Sequence, residues 1–223
     1  MATLFCIATP IGNLNDLSLR AMEVFKTVKV VAAEDTRVTK KILDHIGAKP
    51  DFLISYRQRQ AESGANKILE YLNKDFDVAY ASDAGTPGVS DPGGHAVKLA
   101  HENGHKVVPI PGPSALTTLL SVAGVDVSQF LFLGFLPHKK GRQTELKNIA
   151  SINYPVIVFE SVHRFQKLLK ELDQFCPNKY LVVGRELTKQ FETFYRGTAK
   201  QILSNIKASE IKGEFVVLIV PEK

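Results

Sequence analysis

The chain predicts an α/β fold in two domains, on three observations. Short apolar runs alternate with amphipathic segments through the first half. Several of those runs end in loops of glycine, proline and acidic residues. In the second half, two apolar runs are separated by a gap too short for a helical crossover. The alternation predicts a mainly parallel amino-terminal sheet, and the short gap predicts a mixed carboxy-terminal sheet. With 223 residues, each half has enough length for its own core. The boundary is placed between Pro113 and Gly124, which gives domains 1–115 and 116–223.

Leu4-Phe5-Cys6-Ile7-Ala8 reads as a buried strand, with Thr9 to Asn13 as the turn at its carboxyl end. Ser18 caps a helix to about Val28, whose apolar stripe is Leu19, Met22, Phe25 and Val28. Val30 to Ala33 is a second strand, followed by a helix from Asp35 or Thr36 to Ile46 that Gly47 stops. Phe52 to Ser55 is the third strand, and a helix near Ala61 to Leu72 follows the polar run Tyr56 to Gln60. Asp77 to Ala81 and Lys106 to Ile110 are the fourth and fifth, with a helix between them closed by Gly104. Ser114 caps the next helix, which ends near Ala123-Gly124. Beyond it, strands are expected at Phe130–Phe135, Val156–Glu160, Tyr180–Glu186, Phe191–Arg196 and Phe215–Val220. Helices are expected around Gln143–Ala150, Val162–Phe175 and Thr198–Ile206.

Composition narrows the function. Hydrophobic residues make up 44% of the chain and no eighteen apolar residues run together, so no membrane span is expected. Met1 to Asn13 lacks the basic and apolar regions of a signal peptide. A cytoplasmic enzyme or binding protein is the expectation. The net charge of +5 favours a polyanionic partner, nucleic acid among them. Cys6 and Cys176 have no neighbours at metal-ligand spacing, so neither a metal site nor a disulfide framework is expected.

The loops carry the chemistry. Ser82 to Gly94 leaves the fourth strand and holds Gly85, Gly88, Gly93 and Gly94 together with Asp83 and Asp91. Glycine permits close backbone approach to a ligand, although the same residue types also build ordinary turns. Thr9-Pro10-Ile11-Gly12, Glu34-Asp35-Thr36-Arg37 and Pro111-Gly112-Pro113-Ser114-Ala115 also follow strands of the parallel sheet. All such ends lie on one edge, so the loops must converge there. No G-x-G-x-x-G follows the first strand and no P-loop is present, which argues against dinucleotides and nucleoside triphosphates. Carboxylates and carbonyls suit a ligand with positive charge and hydroxyls. S-adenosylmethionine has a sulfonium, an ammonium and a ribose diol.

Six motifs stand in the order found in the RNA-directed branch of the tetrapyrrole methylase superfamily: Thr9-Pro10-Ile11-Gly12-Asn13-Leu14, Ala33-Glu34-Asp35-Thr36-Arg37, Ser82 to Gly88, Pro111 to Ala115, Glu160-Ser161-Val162-His163-Arg164, and Lys212-Gly213-Glu214. The chain resembles that family over essentially its whole length. The resemblance implies two α/β domains, a cofactor cleft between them, S-adenosylmethionine as cofactor, and a homodimer. It implies methylation of the ribose 2′-hydroxyl of a cytidine in the decoding region of small-subunit ribosomal RNA, free or in the small ribosomal subunit. Many members of the family continue past the strand equivalent to Phe215 to Val220.

Carried over residue by residue, Pro10, Gly12, Asp83, Ala84, Gly85, Thr86, Ser114 and Ala115 are cofactor candidates from the first domain. Ser161, Glu186, Leu187, Gly213 and Glu214 are those of the second. Methyl transfer to a ribose hydroxyl profits from a positioned base, for which Glu34, Asp35 and His163 are candidates beside Arg37. Asp35 equally suits a helix cap, and Glu34 could pair with Arg37. Arg37, Arg57 and Arg164 are candidates for substrate contact. The clusters Arg57 with Arg59, Lys40-Lys41, and His138-Lys139-Lys140-Gly141-Arg142 could hold phosphates or be solvated faces, and Tyr56 could offer a stacking platform. Rival readings are a small-molecule methylase of the same superfamily acting on a tetrapyrrole, and a non-enzymatic RNA-binding protein that retains the cofactor.

Overall fold

A computed structural model describes residues 1–57, 61–91, 93–207 and 210–222. Arg59 of the basic pair and Pro92 of the glycine loop lie outside the described residues. The chain divides into two compact units, Met1–Ser114 and Ala115–Lys223.

The first unit runs β1 (Thr3–Ile7), α1 (Leu19–Thr27), β2 (Val30–Ala33), α2 (Thr36–Ile46), β3 (Phe52–Ser55), α3 (Ala61–Asn73), β4 (Val78–Ala81), α4 (Gly93–Glu102) and β5 (Lys106–Ile110). Its strands pair in the order β3-β2-β4-β1-β5, all parallel. β2 and β4 are buried at every position, as strands covered on both faces must be. Ala21 and Phe25 of α1 and Ile42 and Leu43 of α2 pack with Ile7, Val31, Ala79 and Ala81. Ala65, Ile68 and Leu72 of α3 and Ala96 and Ala100 of α4 pack with Leu4, Ala32, Val78 and Tyr80 on the opposite face. The loop leaving β4 therefore heads for one face, and those leaving its neighbours β1 and β2 head for the other. Such divergence marks the topological switch point, the place on the carboxyl edge where open α/β sheets take their ligands.

Local signals set the helix ends. The Ser18 side chain accepts from Ala21 N–H at the start of α1, and Gly47 closes α2 at φ 69°. The expected stripe of α1 needs correction: Leu19 is 77% exposed, and Ala21 takes the buried position, with Leu17 buried just ahead of the helix. Leu19 is the first residue of the helix, and the face set by Phe25 passes through Ala21, one turn earlier. A short 3₁₀ turn at Leu14–Asp16, which the sequence reading passes over, precedes it.

The second unit runs α5 (Ala115–Ser121), β6 (Leu131–Phe135), α6 (Arg142–Ser151), β7 (Val156–Ser161), α7 (Val162–Phe175), β8 (Tyr180–Arg185), β9 (Thr193–Thr198), α8 (Ala199–Asn205) and β10 (Glu214–Val220). The sheet order is β6-β7-β10-β8-β9, with β6 and β7 parallel and the other pairs antiparallel. The mixed sheet and the β8–β9 hairpin are as expected, although β9 begins two residues later than the sequence suggests. One face packs Val156, Val158, Leu181, Val183, Phe215 and Val217 under Phe165, Leu168, Leu169 and Leu172 of α7.

A bulge interrupts β6. Phe132 pairs with Ile157, but the next partner of β7, Val158, is taken by Gly134, and Phe135 then faces Phe159. Strict alternation would set Phe132 and Phe135 on opposite faces. The additional residue instead puts both beside Phe159, with ring centres 4.9 Å and 5.7 Å from it.

Candidate functional site

At the carboxyl edge of the first sheet, the loops expected to converge are hydrogen-bonded into one assembly. Thr9 and Gly85 form an isolated antiparallel bridge, with N–H to O distances of 3.0 Å in both directions. Gly85 sits at φ 85°, in the region that favours glycine. The buried Thr9 hydroxyl donates to Ser82 O at 3.0 Å, and Ser82 Oγ donates to Gly85 O at 3.2 Å. Thr86 Oγ1 donates to Pro113 O at 3.3 Å, which joins the loop after β5 to the same assembly. Gly112 lies against Ala8, where an added Cβ would come within 3.1 Å of the alanine methyl. Pro10 is buried within this assembly, and Gly12 and Ala84 are exposed.

On its other side the β4 loop is tied to the loop after β2. Glu34 N–H donates to Ala81 O at 3.2 Å, Asp83 N–H to Glu34 Oε2 at 3.3 Å, and Asp35 N–H to Asp83 Oδ1 at 2.7 Å. The crossed bonds bring three carboxylates together. Burial, with Asp83, Asp91 and Asp35 nearby, raises Glu34 above the ordinary carboxylate range. Burial and Asp35 likewise raise Asp83. Asp35 goes the other way: Arg37 holds its carboxylate through side-chain bonds at 2.6–3.2 Å, with a further bond from Arg37 N–H at 2.9 Å. Of the two alternatives for Arg37, the structure takes Asp35 and not Glu34 as its partner, and Asp35 also caps α2.

Two residues to which the sequence reading gives no role of their own, Asp91 and Tyr80, brace the glycine loop. Asp91 Oδ1 accepts from Gly88 N–H at 2.8 Å, Gly93 N–H at 2.7 Å and the Tyr80 hydroxyl at 3.1 Å. An aspartate two residues before a helix start was the available signal. Tyr80 in turn packs edge-on against Tyr56, whose ring is fully buried. Tyr56 is therefore core, not a stacking platform. Arg57 next to it is exposed.

At the corresponding edge of the second sheet, the register places Glu214 of β10 opposite Ser161 of β7. Glu186 follows β8 at φ 50°; its N–H donates to Glu214 O, and its Oε1 accepts from Glu214 N–H, both at 3.0 Å. Lys189 Nζ donates to Glu186 Oε1 at 2.9 Å and Glu214 Oε2 at 3.0 Å. Glu186 is lowered: burial works to raise it, and Lys189 with the Glu214 backbone outweighs that. Gly213, at φ 87°, leaves room for this carboxylate, which any side chain there would meet. Leu187 is buried. Ser161, Glu186, Leu187, Gly213 and Glu214 thus stand together, with Lys189, unnoticed in the sequence, as their counter-ion.

Beside them lies a buried ion-pair cluster. Glu160 Oε1 lies 2.7 Å from Arg164 Nε and accepts from Ser161 N–H at 2.9 Å, and its Oε2 lies 3.5 Å from Arg142 Nη2. Arg142 also holds Glu171 at 2.7 Å. Arg142, read as part of a cluster that holds phosphates or forms a solvated face, does neither: its side chain is only 3% exposed and belongs to the interior. Arg164, a candidate for substrate contact, is also turned inward, its side chain 14% exposed. His163 is exposed at the start of α7.

A profile for Tetrapyrrole (Corrin/Porphyrin) Methylases matches residues 3–203. The chain is 41% identical over 222 residues to Ribosomal RNA small subunit methyltransferase I of Neisseria meningitidis serogroup B, covering 98% of this chain and 76% of that protein. It is 38% identical to the Bacillus subtilis protein of the same name, covering 98% and 75%. Among solved structures, the methyltransferase CobJ aligns over 99% of this chain and 95% of its own with a TM-score of 0.73 at 14% identity. Uroporphyrin III C-methyl transferase from Thermus thermophilus aligns over 97% of both chains with a TM-score of 0.68 at 16% identity. The chain belongs to the tetrapyrrole methylase family, within the group whose curated members are named Ribosomal RNA small subunit methyltransferase I.

Proposed function

We propose that this methyltransferase takes its methyl group from S-adenosylmethionine and delivers it to the ribose 2′-hydroxyl of a cytidine in the decoding region of small-subunit ribosomal RNA. The observation that carries the reading is the locked edge of the first sheet. There, burial first and the neighbouring carboxylates second raise Glu34 and Asp83, and a cationic ligand would favour their charged forms. When bound, S-adenosylmethionine supplies an electrophilic methyl group on a sulfonium.

The chain's residues then have distinct tasks. Gly85 and Thr86 present backbone at a fixed loop, and Gly112 permits close approach beside Ala8. Asp83 and Glu34 favour positive charge. Pro10, Gly12, Ala84, Ser114 and Ala115 complete the first unit's candidates for the cofactor, and Ser161, Glu186, Leu187, Gly213 and Glu214 are those of the second. Asp35 is engaged by Arg37 and held ionised, so it positions that arginine and makes a poor proton acceptor. Glu34, with its raised affinity for protons, is better suited to take the hydroxyl proton, and the exposed His163 is the other candidate. Arg37 and Arg57, both exposed, serve as substrate-side cations. A cytoplasmic site of action and a homodimer belong to the same reading.

The test is transfer of tritiated methyl groups from S-adenosylmethionine to small ribosomal subunits and to naked ribosomal RNA, with the labelled nucleotide mapped. Label on a cytidine 2′-oxygen is the expected result. Label in a tetrapyrrole acceptor and none in RNA would reverse the reading, and retention of cofactor without turnover would make the protein a binding module.

A further inference from the structure

We propose that the edge of the second sheet carries a docking surface for single-stranded RNA, in which Phe135 stacks on a base and Lys139 and Lys140 hold the flanking phosphates. The proposal rests on ribosomal RNA being the substrate and assigns part of its binding surface.

The ring of Phe135 is 55% exposed at the end of a strand whose preceding residues are packed. It faces outward because of the bulge in β6. It is also fixed: Phe159 meets it at 65°, and the Arg164 guanidinium carbon lies 6.0 Å from its centre. A rigid, half-covered ring with an open side is what base stacking needs, since every base offers a π-face.

The chain then enters Pro137–Gly141, where every residue is exposed and none is acidic. This loop is braced from behind. Arg164 Nη1 donates to Leu136 O at 2.9 Å, and Arg142 Nη1 donates to Pro137 O at 3.2 Å. Both arginines are themselves held by Glu160, and Gly141 at φ 86° turns the chain into α6. Of the nearby carboxylates, Glu160 and Glu171 are engaged by these arginines and Glu145 is half-buried in the first turn of α6, while Lys139 and Lys140 are exposed. The surface is therefore cationic beside an aromatic ring, the combination that suits a single strand and not an apolar partner. Its position fits the chemistry as well. Phe135 pairs with Phe159, two residues before Ser161, so the surface borders the second unit's candidate cofactor residues.

The experiment measures binding of the full chain to a fluorescein-labelled single-stranded RNA with the decoding-region sequence, by anisotropy across a salt series. Phe135→Ala should weaken binding on the order of tenfold with its salt slope unchanged. Lys139→Ala with Lys140→Ala should reduce the log–log salt slope by about 1.4, the value for two phosphates of a single strand. Calorimetry with S-adenosylmethionine should give wild-type affinity for both variants, which shows that the fold is intact. RNA affinity unchanged in both variants, or no RNA binding by the wild type, would overturn the proposal. So would a Phe135→Ala protein that sediments as a smaller species while binding RNA normally, since the occupant would then be a second copy of the chain. If the variants lose RNA binding but the wild type methylates no ribosomal RNA, the surface stands and the substrate reading falls.

Discussion

Asp83 has two opposing jobs at the candidate site: its carboxylate fixes the Asp35 backbone, and its charge adds to that of Glu34 and Asp35. Asp83→Ala should weaken S-adenosylmethionine binding by about tenfold, or about 1.4 kcal/mol, while the protein still folds. Isothermal calorimetry would remove Asp83 from the site if affinity stayed the same. The raised carboxyls also give a pH dependence. Both Glu34 and Asp83 take up protons above their ordinary values of 4.5 and 3.8, so the charged forms are disfavoured in the folded protein. Acidification relieves the cost of burying those charges beside one another and favours the ligand-free fold, and it also removes the negative charge that a cationic ligand needs. Affinity for S-adenosylmethionine should therefore fall as pH drops through the raised values, with Glu34 taking up its proton above 4.5. Binding isotherms flat down to pH 4.5 would contradict that assignment.

Among elements, the junction after β8 and the one before β10 combine left-handed backbone at Glu186 and Gly213 with an ion pair. Gly213→Ala combines a left-handed backbone with a Cβ placed on the Glu186 carboxylate, so it should cost on the order of 1–3 kcal/mol in a urea melt. A midpoint equal to wild type would show that Glu186 moves aside without cost. Arg142→Met leaves the buried Glu160 with one charge partner fewer and should destabilise by about 3–5 kcal/mol. Adding Glu160→Gln should restore part of that loss, and a double variant no more stable than the single would argue that Arg142 acts through packing. The strands and helices themselves were largely legible, because caps and stops such as Ser18, Asp35, Gly47 and Gly104 are local chemistry. Leu19 departs from the stripe because a three-residue spacing drifts around a 3.6-residue helix: the face through Met22, Phe25 and Val28 reaches Ala21 one turn earlier and leaves Leu19 in solvent. Tyr56 and Arg142 were misread for another reason: residue type suggests a surface, and only tertiary packing supplies the ring or carboxylate that buries them.

For the whole molecule, a net charge of +5 predicts that RNA binding and cofactor binding respond differently to ionic strength. RNA affinity should fall linearly on logarithmic axes between 50 and 200 mM salt, on the order of the counterions released. Affinity for S-adenosylmethionine should change little by comparison, and parallel slopes for the two ligands would mean that one site is being read twice. Convergence of the first unit's loops was legible, because parallel strands share one carboxyl edge. What could not be read were the crossed bonds between Glu34, Asp35 and Asp83, which depend on β2 and β4 being neighbours while β1 lies beyond.

The bulge in β6 works as a change of parity. Before it, the strand's inward positions follow one count of the chain; after it, they follow the other. Leu131 and Leu133 can answer to the interior while Phe135, which the earlier count would also turn inward, answers to the outside. One residue of chain length thus separates two kinds of selection on a five-residue strand, so the outer ring can be exchanged without repacking the core beneath it.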